Sequence, residues 1–367
     1  MAITYATPNS QASDVEFLDA TVTRLGVVLR PNGSPEEVEG VLNPASVRAR
    51  DGSLLLYPRL VGKGNVSRIG IVRSTECGSG MDFVRSGYAL EPTTSYELRP
   101  ENSGGMGCED PRVTFIPVLD RYAMAYTAYG PAGPRIVVAL SNDALHWDRL
   151  GLVDFSTLAL VPGDDKDGVF FPEPVYSPQG VLSLAMYHRP MLHLSTQNGY
   201  EAIRTILNLA PEKRESTRIA YIPLVPVLAD IHNLLKVAES SLVLAPNGPW
   251  GKIKTGGGTP PVRIAEGWLS LYHGVDAVEI DGHYKMTYSA GMVVHDIDQP
   301  HIVRYRSLEP VMHPEGRDET VGIVNNVVFP TAIDPRGERI FDVYYGMADA
   351  KIGRARLSLA SDFSARS

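Results

Sequence analysis

The stretch Glu109-Asp110-Pro111-Arg112 places two acids, a proline and an arginine between a glycine-rich run and a strand-like run. Side chains alternate between the two faces of a β-strand, so we expect Glu109 and Asp110 to point in different directions. One acid can then enter a cavity, where carboxyl groups serve acid–base chemistry, while the other supports the turn. The alternative is a solvated turn with a surface pair of Asp110 and Arg112.

Cationic side chains beside strands and glycines form a second set of interest. Lys254 precedes Gly256-Gly257-Gly258, where a lysine can present its ammonium group together with free backbone N–H groups. Such an arrangement suits an oxyanion such as phosphate. Arg189 could add a bidentate fork to the same anion. His188 and His273 each stand at the end of a predicted strand.

Each of these residues has a structural alternative. Arg189 could pair with Glu173 or Asp167 and only hold neighbouring segments together. A histidine after a strand is often a satisfied structural residue, and the glycine run could be a plain loop, because it lacks the Gly-Lys-Ser/Thr ending of a P-loop. No CxxC or HExxH spacing occurs, so the sequence predicts no metal site.

Composition restricts the class of protein. The chain has 367 residues, of which 44% are hydrophobic and 21% charged, as expected for a globular protein with a sizeable core. The net charge of −8 argues against nucleic acid as the main partner. We see neither a secretory signal nor an apolar run long enough to span a bilayer, so no membrane association is expected. The only cysteines, Cys77 and Cys108, favour free thiols in a reducing, cytoplasmic location, with Cys108 a small packing residue.

One pattern occurs five times: a proline-marked segment, a short strand, a turn containing Gly or Asp, and a second strand that ends in tyrosine. Each occurrence predicts a β-hairpin. The occurrences begin at Asn43-Pro44, Asp110-Pro111, Phe171-Pro172, Thr259-Pro260 and Phe329-Pro330. Repeated units of this kind bury their faces by packing on each other. Five four-stranded units predict an all-β fold, a five-bladed β-propeller.

The same pattern suggests how the chain is divided. We expect residues 1–40 to be an N-terminal lead-in that packs on the propeller, and residues 41–360 to form a single catalytic domain. The stretch 195–218 is predicted to be an insertion with some helical character. Because the innermost strands start near the central channel, their proline-marked starts should place Asn43, Asp110, Glu173 and Lys254 around one funnel.

Taken in order, several motifs resemble those of glycoside hydrolase family 130, the β-mannoside phosphorylases and related mannosidases. The resemblance runs from about residue 40 to residue 357 and implies a five-bladed propeller. The motifs that carry it are Asn43-Pro44, Tyr57-Pro58-Arg59, Gly107-Cys108-Glu109-Asp110-Pro111-Arg112, Phe171-Pro172-Glu173, His188-Arg189-Pro190, Lys254 with its Gly-rich Pro-Pro tail, Tyr272-His273-Gly274-Val275 and Tyr345-Gly346-Met347-Ala348-Asp349.

The resemblance also implies a reaction, in which phosphate attacks C1 of a terminal β-mannosyl unit with inversion and gives α-mannose 1-phosphate. Asp110 would be the sole acid and would donate its proton through the 3-hydroxyl of the sugar, so its pKa should be raised. Phosphate replaces the general base that an inverting hydrolase needs, and no other cofactor is expected. The residues expected to bind the substrate are Asn43, Arg59, Glu109 and Asp349, and those expected to bind phosphate are Arg189, Lys254, His273 and, as a weaker candidate, Lys166.

Two other functions stay open: an inverting β-mannosidase that uses water, with Glu173 as the nearest candidate base, and a non-catalytic sugar-binding propeller. The sequence fixes neither the linkage, β-1,2 or β-1,4, nor the acceptor sugar. The stretch 195–218 is longer than the family pattern, and Asp230-Ile231-His232-Asn233 departs from it, near an expected rim or acceptor site. The resemblance suggests a homo-oligomer, for which the insertion would be a contact.

Overall fold

The computed structural model describes residues 16–77, 80–100, 104–158, 163–194, 199–360 and 364–365, and these residues form an all-β protein. In chain order the strands are β1 (Glu16–Phe17), β2 (Ala20–Leu29), β3 (Gly40–Arg48), β4 (Leu54–Gly62), β5 (Val66–Cys77), β6 (Gly80–Leu90), β7 (Met106–Ile116), β8 (Arg121–Gly130), β9 (Gly133–Ser141), β10 (Asp148–Leu152), β11 (Asp165–Phe170), β12 (Val175–Tyr176), β13 (Leu182–Pro190), β14 (Thr217–Pro223), β15 (Glu239–Leu244), β16 (Lys254–Gly257), β17 (Val262–Ile264), β18 (Gly267–Ile280), β19 (His283–His295), β20 (Val303–Arg306), β21 (Val328–Gly337), β22 (Ile340–Met347), β23 (Lys351–Leu359) and β24 (Ser364–Ala365).

Helices are short in the described part of the chain: α1 (Gly199–Asn208), α2 (Leu224–Ala229) and α3 (Gly316–Thr320). Helix α1 lies within the stretch 195–218, where the sequence predicted some helical character, although residues 195–198 lie outside the described residues. None of these helices combines the length and apolar character that crossing a bilayer requires.

Apart from β1 and β24, which pair with each other, the strands form antiparallel units of four or five. An eight-stranded sheet contains two such units, β3–β6 and β7–β10, which are joined by a short parallel pairing of β5 with β7. Two five-stranded sheets follow, β11–β15 and β16–β20. The last large sheet combines β21, β22 and β23 with β2 from near the N-terminus, which pairs with β23.

The predicted hairpins are confirmed as β3–β4, β7–β8 and β21–β22. In the third and fourth units the first strand is split, so that β11 and β12 both pair with β13, and β16 and β17 both pair with β18. The splits fall around Pro172 and Pro260-Pro261, because proline has no N–H to donate to the ladder. These units therefore begin at Asp165 and Lys254, before the prolines that mark them in the sequence.

Apolar clusters join successive sheets. Buried side chains of β8 and β9 pack on those of β13 and β14, and β17–β19 pack on β21–β23. Strands β3 and β4 share a cluster with β22 and β23, and also share one with β7–β9. Phe171 and Trp268 extend the packing from the third unit to the fourth. This packing brings the first strands of the units side by side, with β3 between β21 and β7, and β11 between β7 and β16.

Candidate active site

One cavity collects nearly all the side chains that the sequence singled out. It has a volume of about 190 Å³ and lies where the first strands of the units begin. Every residue predicted to bind substrate or phosphate lines it except Glu109, which bonds to two lining residues. The lining residues are Asn43, Arg59, Asp110, Lys166, Asp167, Arg189, Lys254, His273, Tyr288, Val324, Val327, Phe329 and Asp349.

The backbone is unusual at four of these positions: Asp349 has a φ of 50°, and the other three share one arrangement in β3, β7 and β11. Asn43, Asp110 and Asp167 have φ values of 42°, 46° and 61°, in the left-handed region that Asn and Asp tolerate better than most residues. Each lies at a register shift in β3, β7 or β11, where a bulge re-aims a side chain. In each of the three units, a bulge with a left-handed residue therefore directs a polar side chain into the same cavity.

Glu109 and Asp110 differ in position, since only Asp110 lines the cavity, although the bulge in β7 lets both contact Arg59. Both carboxylates reach the same guanidinium: Arg59 Nη2 donates to Glu109 Oε1 at 2.9 Å, and Arg59 Nη1 donates to Asp110 Oδ1 at 3.2 Å. Strict alternation holds for a regular strand, and the left-handed Asp110 interrupts it. Of the two acids, Asp110 lines the cavity, whereas Glu109 also accepts from Lys166 Nζ at 3.2 Å.

Asn43, Arg59, Asp110 and Asp349 form what we call the acid cluster. Asn43 Nδ2 donates to Asp110 Oδ1 at 2.9 Å, whereas the buried Asn43 Oδ1 has no hydrogen-bond partner among the described residues. Arg59 is further fixed by Nε, which donates to Ser67 Oγ at 2.9 Å. Hydrogen bonds from both neighbours therefore hold Asp110 in one orientation.

The protein lowers the pKa of Asp110, which corrects our expectation of a raised value. Burial raises this pKa, but the positive charges of Arg59, Arg112 and Lys166 and the hydrogen bond from Asn43 outweigh burial. The pKa of Asp349 moves the other way and is raised to about 6, chiefly by burial and then by the negative charge of Asp110. Of these two lining carboxyl groups, Asp349 thus retains its proton to the higher pH.

Asp167, Arg189, Lys254 and His273 form what we call the anion cluster. Arg189 Nε donates to Asp167 Oδ2 at 2.7 Å, and Arg189 Nη1 pairs with Glu215. Burial opposes ionisation of Asp167, but the charge of Arg189 and other cations holds the pKa of Asp167 well below its usual range. The proposed pairing of Arg189 with Asp167 is therefore present, inside the cavity rather than at a distance from it.

Lys254 differs from the other cations of the cavity. Its Nζ lies 5.4 Å from the centroid of the Tyr288 ring. Among the described residues, no carboxylate oxygen lies within 4.0 Å of this Nζ. Within the described ranges, Lys254 is thus a cation whose charge is not matched by an ion pair.

His273 is buried and neutral, which corrects its inclusion in a cationic set. Its pKa is lowered to about 3 because burial and the charges of Arg189 and Lys254 outweigh the attraction of Asp167. The ring packs on Phe329 with centroids 4.5 Å apart, and Nδ1 has no hydrogen-bond partner among the described residues. A neutral imidazole can still donate one hydrogen bond to an anion.

Glu173 does not join the funnel, contrary to our expectation. Its carboxylate pairs with Arg263 at 2.8 Å, and both side chains are exposed. Glu173 lines a different pocket, at the opposite end of the first strands, with Arg48, Phe115 and Pro261. Glu173 lies in the gap between β11 and β12, whereas Lys166 and Asp167 at the start of β11 line the site.

Other residues that the sequence singled out lie away from the cavity. His188 is fully buried, with Nδ1 2.8 Å from Asp165 Oδ2 and Nε2 2.8 Å from Ser240 Oγ. Cys108 is a buried free thiol, whereas the side chain of Cys77 lies outside the described residues. His232 lines a separate surface groove and not the cavity, so the departure at 230–233 does not reach this site.

Sequence reasoning missed the site roles of Asp167, Glu215 and Tyr288. The sequence indicated Asp167 only as a possible partner of Arg189, although its position after Lys166 in a strand that bulges brings it into the cavity. Glu215 follows α1, and a backbone bridge to Lys254 places it beside Arg189. Within the described residues, no group of three or more His, Cys, Asp or Glu side chains is arranged to hold a metal ion.

Comparison with known proteins identifies the family of the chain. Residues 13–205 and 224–361 match the family model Glyco_hydro_130, described as beta-1,4-mannooligosaccharide phosphorylase. A 1,2-beta-oligomannan phosphorylase from Thermoanaerobacter sp. (strain X514) is 28% identical over 300 residues, which cover 80% of this chain and 79% of that protein.

Two solved structures share the fold. The beta-1,2-mannobiose phosphorylase from Listeria innocua, in complex with beta-1,2-mannobiose, has a TM-score of 0.67 and 21% identity over 92% of this chain and 96% of that one. A second structure, described with the finding that the GH130 family of mannoside phosphorylases contains glycoside hydrolases that target beta-1,2 mannosidic linkages in Candida mannan, has a TM-score of 0.66 and 19% identity over 95% of each chain. The family match extends over most of the chain, and the chain therefore belongs to glycoside hydrolase family 130.

Proposed function

We propose that this protein is a β-mannoside phosphorylase, in which phosphate attacks C1 of a terminal β-mannosyl unit with inversion and releases α-mannose 1-phosphate. The family match and the phosphorylase names of its relatives support this reaction. The observation that carries the proposal is the shared cavity, in which the acid cluster faces a set of anion-binding side chains. A sugar unit and a phosphate require both kinds of group within one site.

In this proposal Asp110 is the acid that serves the leaving sugar, and its proton passes through the 3-hydroxyl of the mannosyl unit. Asn43, Arg59 and Asp349 bind that unit. Glu109 acts from behind the cavity wall, because its two oxygens hold Arg59 and Lys166 in place. The unpartnered Asn43 Oδ1 is available to accept a hydrogen bond from a sugar hydroxyl.

Phosphate is held by the anion cluster. Lys254 supplies the charge that no carboxylate of the described residues already neutralises, and Arg189 supplies donors oriented by Asp167 and Glu215. His273 donates a hydrogen bond as a neutral ring. Lys166, paired with Glu109, contributes long-range attraction.

Phosphate also solves the problem posed by the lowered pKa of Asp110. The surrounding cations favour the ionised carboxylate, which cannot donate a proton. A phosphate anion placed near these cations offsets their charge and raises the pKa of neighbouring carboxyl groups. Binding of the nucleophile and protonation of the acid are then coupled, and the proposed reaction calls for phosphate as its only co-substrate.

We propose a five-bladed β-propeller for the fold. Five antiparallel units follow one another in sequence, and apolar clusters join each to the next and the last to the first. In this arrangement residues 41–360 form the catalytic domain, and β2, from the described part of the N-terminal segment, closes its last blade by pairing with β23. A homo-oligomeric state and a cytoplasmic location stay predictions.

A hydrolase is the second candidate, because the family contains glycoside hydrolases. An inverting hydrolase needs a second carboxylate, roughly 6.5–9.5 Å from the acid, to activate water. Glu173 cannot serve, since it is paired with Arg263 in another pocket. Asp167 lines the cavity and Glu215 lies beside it, but both are paired with Arg189, whose charge lowers the pKa of Asp167.

The test is the rate of mannose-unit release from β-1,2- and β-1,4-linked mannobiose with and without inorganic phosphate. A phosphorylase requires phosphate, whereas equal rates in its absence would reject the proposal. The reverse reaction, from α-mannose 1-phosphate and a panel of acceptor sugars, then identifies the linkage and the acceptor.

A further inference from the structure

We propose that Gly256 is a positioning residue of the anion cluster, because the space left by its missing Cβ is the space that Asp167 and His273 occupy. The inference rests on the proposed function, since it assigns a purpose to the phosphate side of that site. Gly256 has no side chain and does not itself line the cavity.

The geometry at Gly256 leaves no room for a methyl group. An ideal Cβ would lie 2.2 Å from Asp167 Oδ2, 2.2 Å from His273 Cε1 and 2.6 Å from His273 Nε2. Real Cβ atoms essentially never come closer than 3.0 Å to such neighbours. The backbone of Gly256 is outside the left-handed region, so the requirement comes from space and not from φ.

The neighbours cannot move away freely. Asp167 accepts from Arg189 Nε at 2.7 Å and lies 3.5 Å from Arg112 Nη2, and its side chain is buried. His273 pairs across the ladder with Gly256 and packs on Phe329. A methyl group at position 256 must therefore displace the carboxylate that orients Arg189, or the imidazole, or both.

Gly346 allows the same Gly→Ala substitution to be tested beside the acid cluster. A Cβ on Gly346 would lie 2.1 Å from Asn43 Oδ1, and Asn43 is the residue that donates to Asp110. Gly346 is also outside the left-handed region. Gly346→Ala should thus disturb the acid cluster and leave the anion cluster in place.

Gly337 provides a matched control. It ends β21, its backbone is outside the left-handed region, and a Cβ there would meet nothing within 4 Å. Gly337→Ala makes the same chemical change with no steric consequence, so it reports the effect of an added methyl group alone.

The experiment compares the wild-type protein with Gly256→Ala, Gly346→Ala and Gly337→Ala. For each protein it measures KM for phosphate, KM for the mannoside, and kcat. A displacement of about 1 Å in a binding group can cost roughly 100-fold, so we expect Gly256→Ala to raise KM for phosphate by about 10- to 100-fold. Its KM for the mannoside should stay within about three-fold of wild type, a difference that a general loss of folding would not produce. Gly346→Ala should show the opposite pattern, and Gly337→Ala should match wild type.

An unchanged KM for phosphate in folded Gly256→Ala, in an enzyme that requires phosphate, overturns the role of Gly256 and leaves the proposed function intact. A wild-type enzyme that turns over equally without phosphate overturns both. If Gly256→Ala does not fold, His273→Ala is compared with His273→Ala/Gly256→Ala, where only the Asp167 contact remains. A higher KM for phosphate in the double variant supports the inference, and equal values refute it.

Discussion

Asp110 and Asp349 line the same cavity, but the protein shifts their pKa values in opposite directions. After burial, the largest influences on Asp110 are the charges of Arg59 and Arg112, whereas the next influence on Asp349 is the negative charge of Asp110 itself. Two carboxyl groups in one site seldom ionise independently. The site thus holds one carboxyl group whose pKa is lowered beside one whose pKa is raised to about 6.

Replacement of Asp110 tests the acid. Asp110→Asn keeps an oxygen that can accept from Asn43 and Arg59, and asparagine tolerates the left-handed backbone, so the fold should be retained. We expect kcat to fall by about 10³-fold, because the amide cannot donate the required proton. Calorimetry should show that mannoside binding is largely kept. Full activity in this variant would remove Asp110 from the mechanism.

Replacement of Asp349 tests the pH dependence of stability. A carboxyl group with a raised pKa binds more protons in the folded state than in the unfolded state between about pH 4 and pH 6, so it destabilises the fold as pH rises through that window. Asp349→Asn removes this ionisation. Its melting temperature relative to wild type should therefore be highest above pH 6 and should decline as the pH falls toward 4.

The control for that measurement is Asp298→Asn, since Asp298 is exposed and does not line the cavity. Asparagine suits the left-handed backbone of position 349, which adds a constant offset at every pH. The informative quantity is therefore how the difference in melting temperature between Asp349→Asn and wild type changes with pH. A melting-temperature difference between Asp349→Asn and wild type that is the same at pH 5 and pH 8 would contradict the raised pKa of Asp349.

Replacement of Lys254 tests the anion cluster. Lys254→Met keeps the aliphatic stem near Tyr288 and removes the charge that has no carboxylate partner among the described residues. The loss of one oriented anion contact costs roughly 3 kcal/mol of transition-state stabilisation, so kcat/KM for phosphate should fall by about 10²-fold. Lys252→Met is the matched control, because Lys252 is exposed and lies 3.5 Å from Asp276. An equal loss of kcat/KM for phosphate in Lys254→Met and Lys252→Met would argue against a specific anion site.

The prolines explain both the success and the error of the sequence prediction. In β3 and β7 the proline directly follows the left-handed residue, so Asn43-Pro44 and Asp110-Pro111 mark the cavity correctly. In the third unit glycine follows Asp167 at the bulge, and Pro172 comes after the strand has split. The proline pattern therefore places Glu173 at the wrong end of the unit.

Charge states were harder to predict than positions. A single sequence shows that Asp110, Arg189 and Lys254 occur, but a pKa depends on burial and on the sum of all neighbouring charges. The lowered pKa of Asp110 and the neutral His273 follow from neighbours that are distant in the chain. The contact between Glu215 and Arg189 was equally hard to predict, because only the fold brings these two residues together.

The most direct test of the account is the identity of the product. Incubation of the wild-type protein with a β-mannobiose and inorganic phosphate, followed by phosphorus nuclear magnetic resonance, should show α-mannose 1-phosphate accumulating in step with the released sugar. Free mannose without any sugar phosphate, or a β-configured phosphate, would contradict inverting phosphorolysis at the cavity of Asp110 and Lys254.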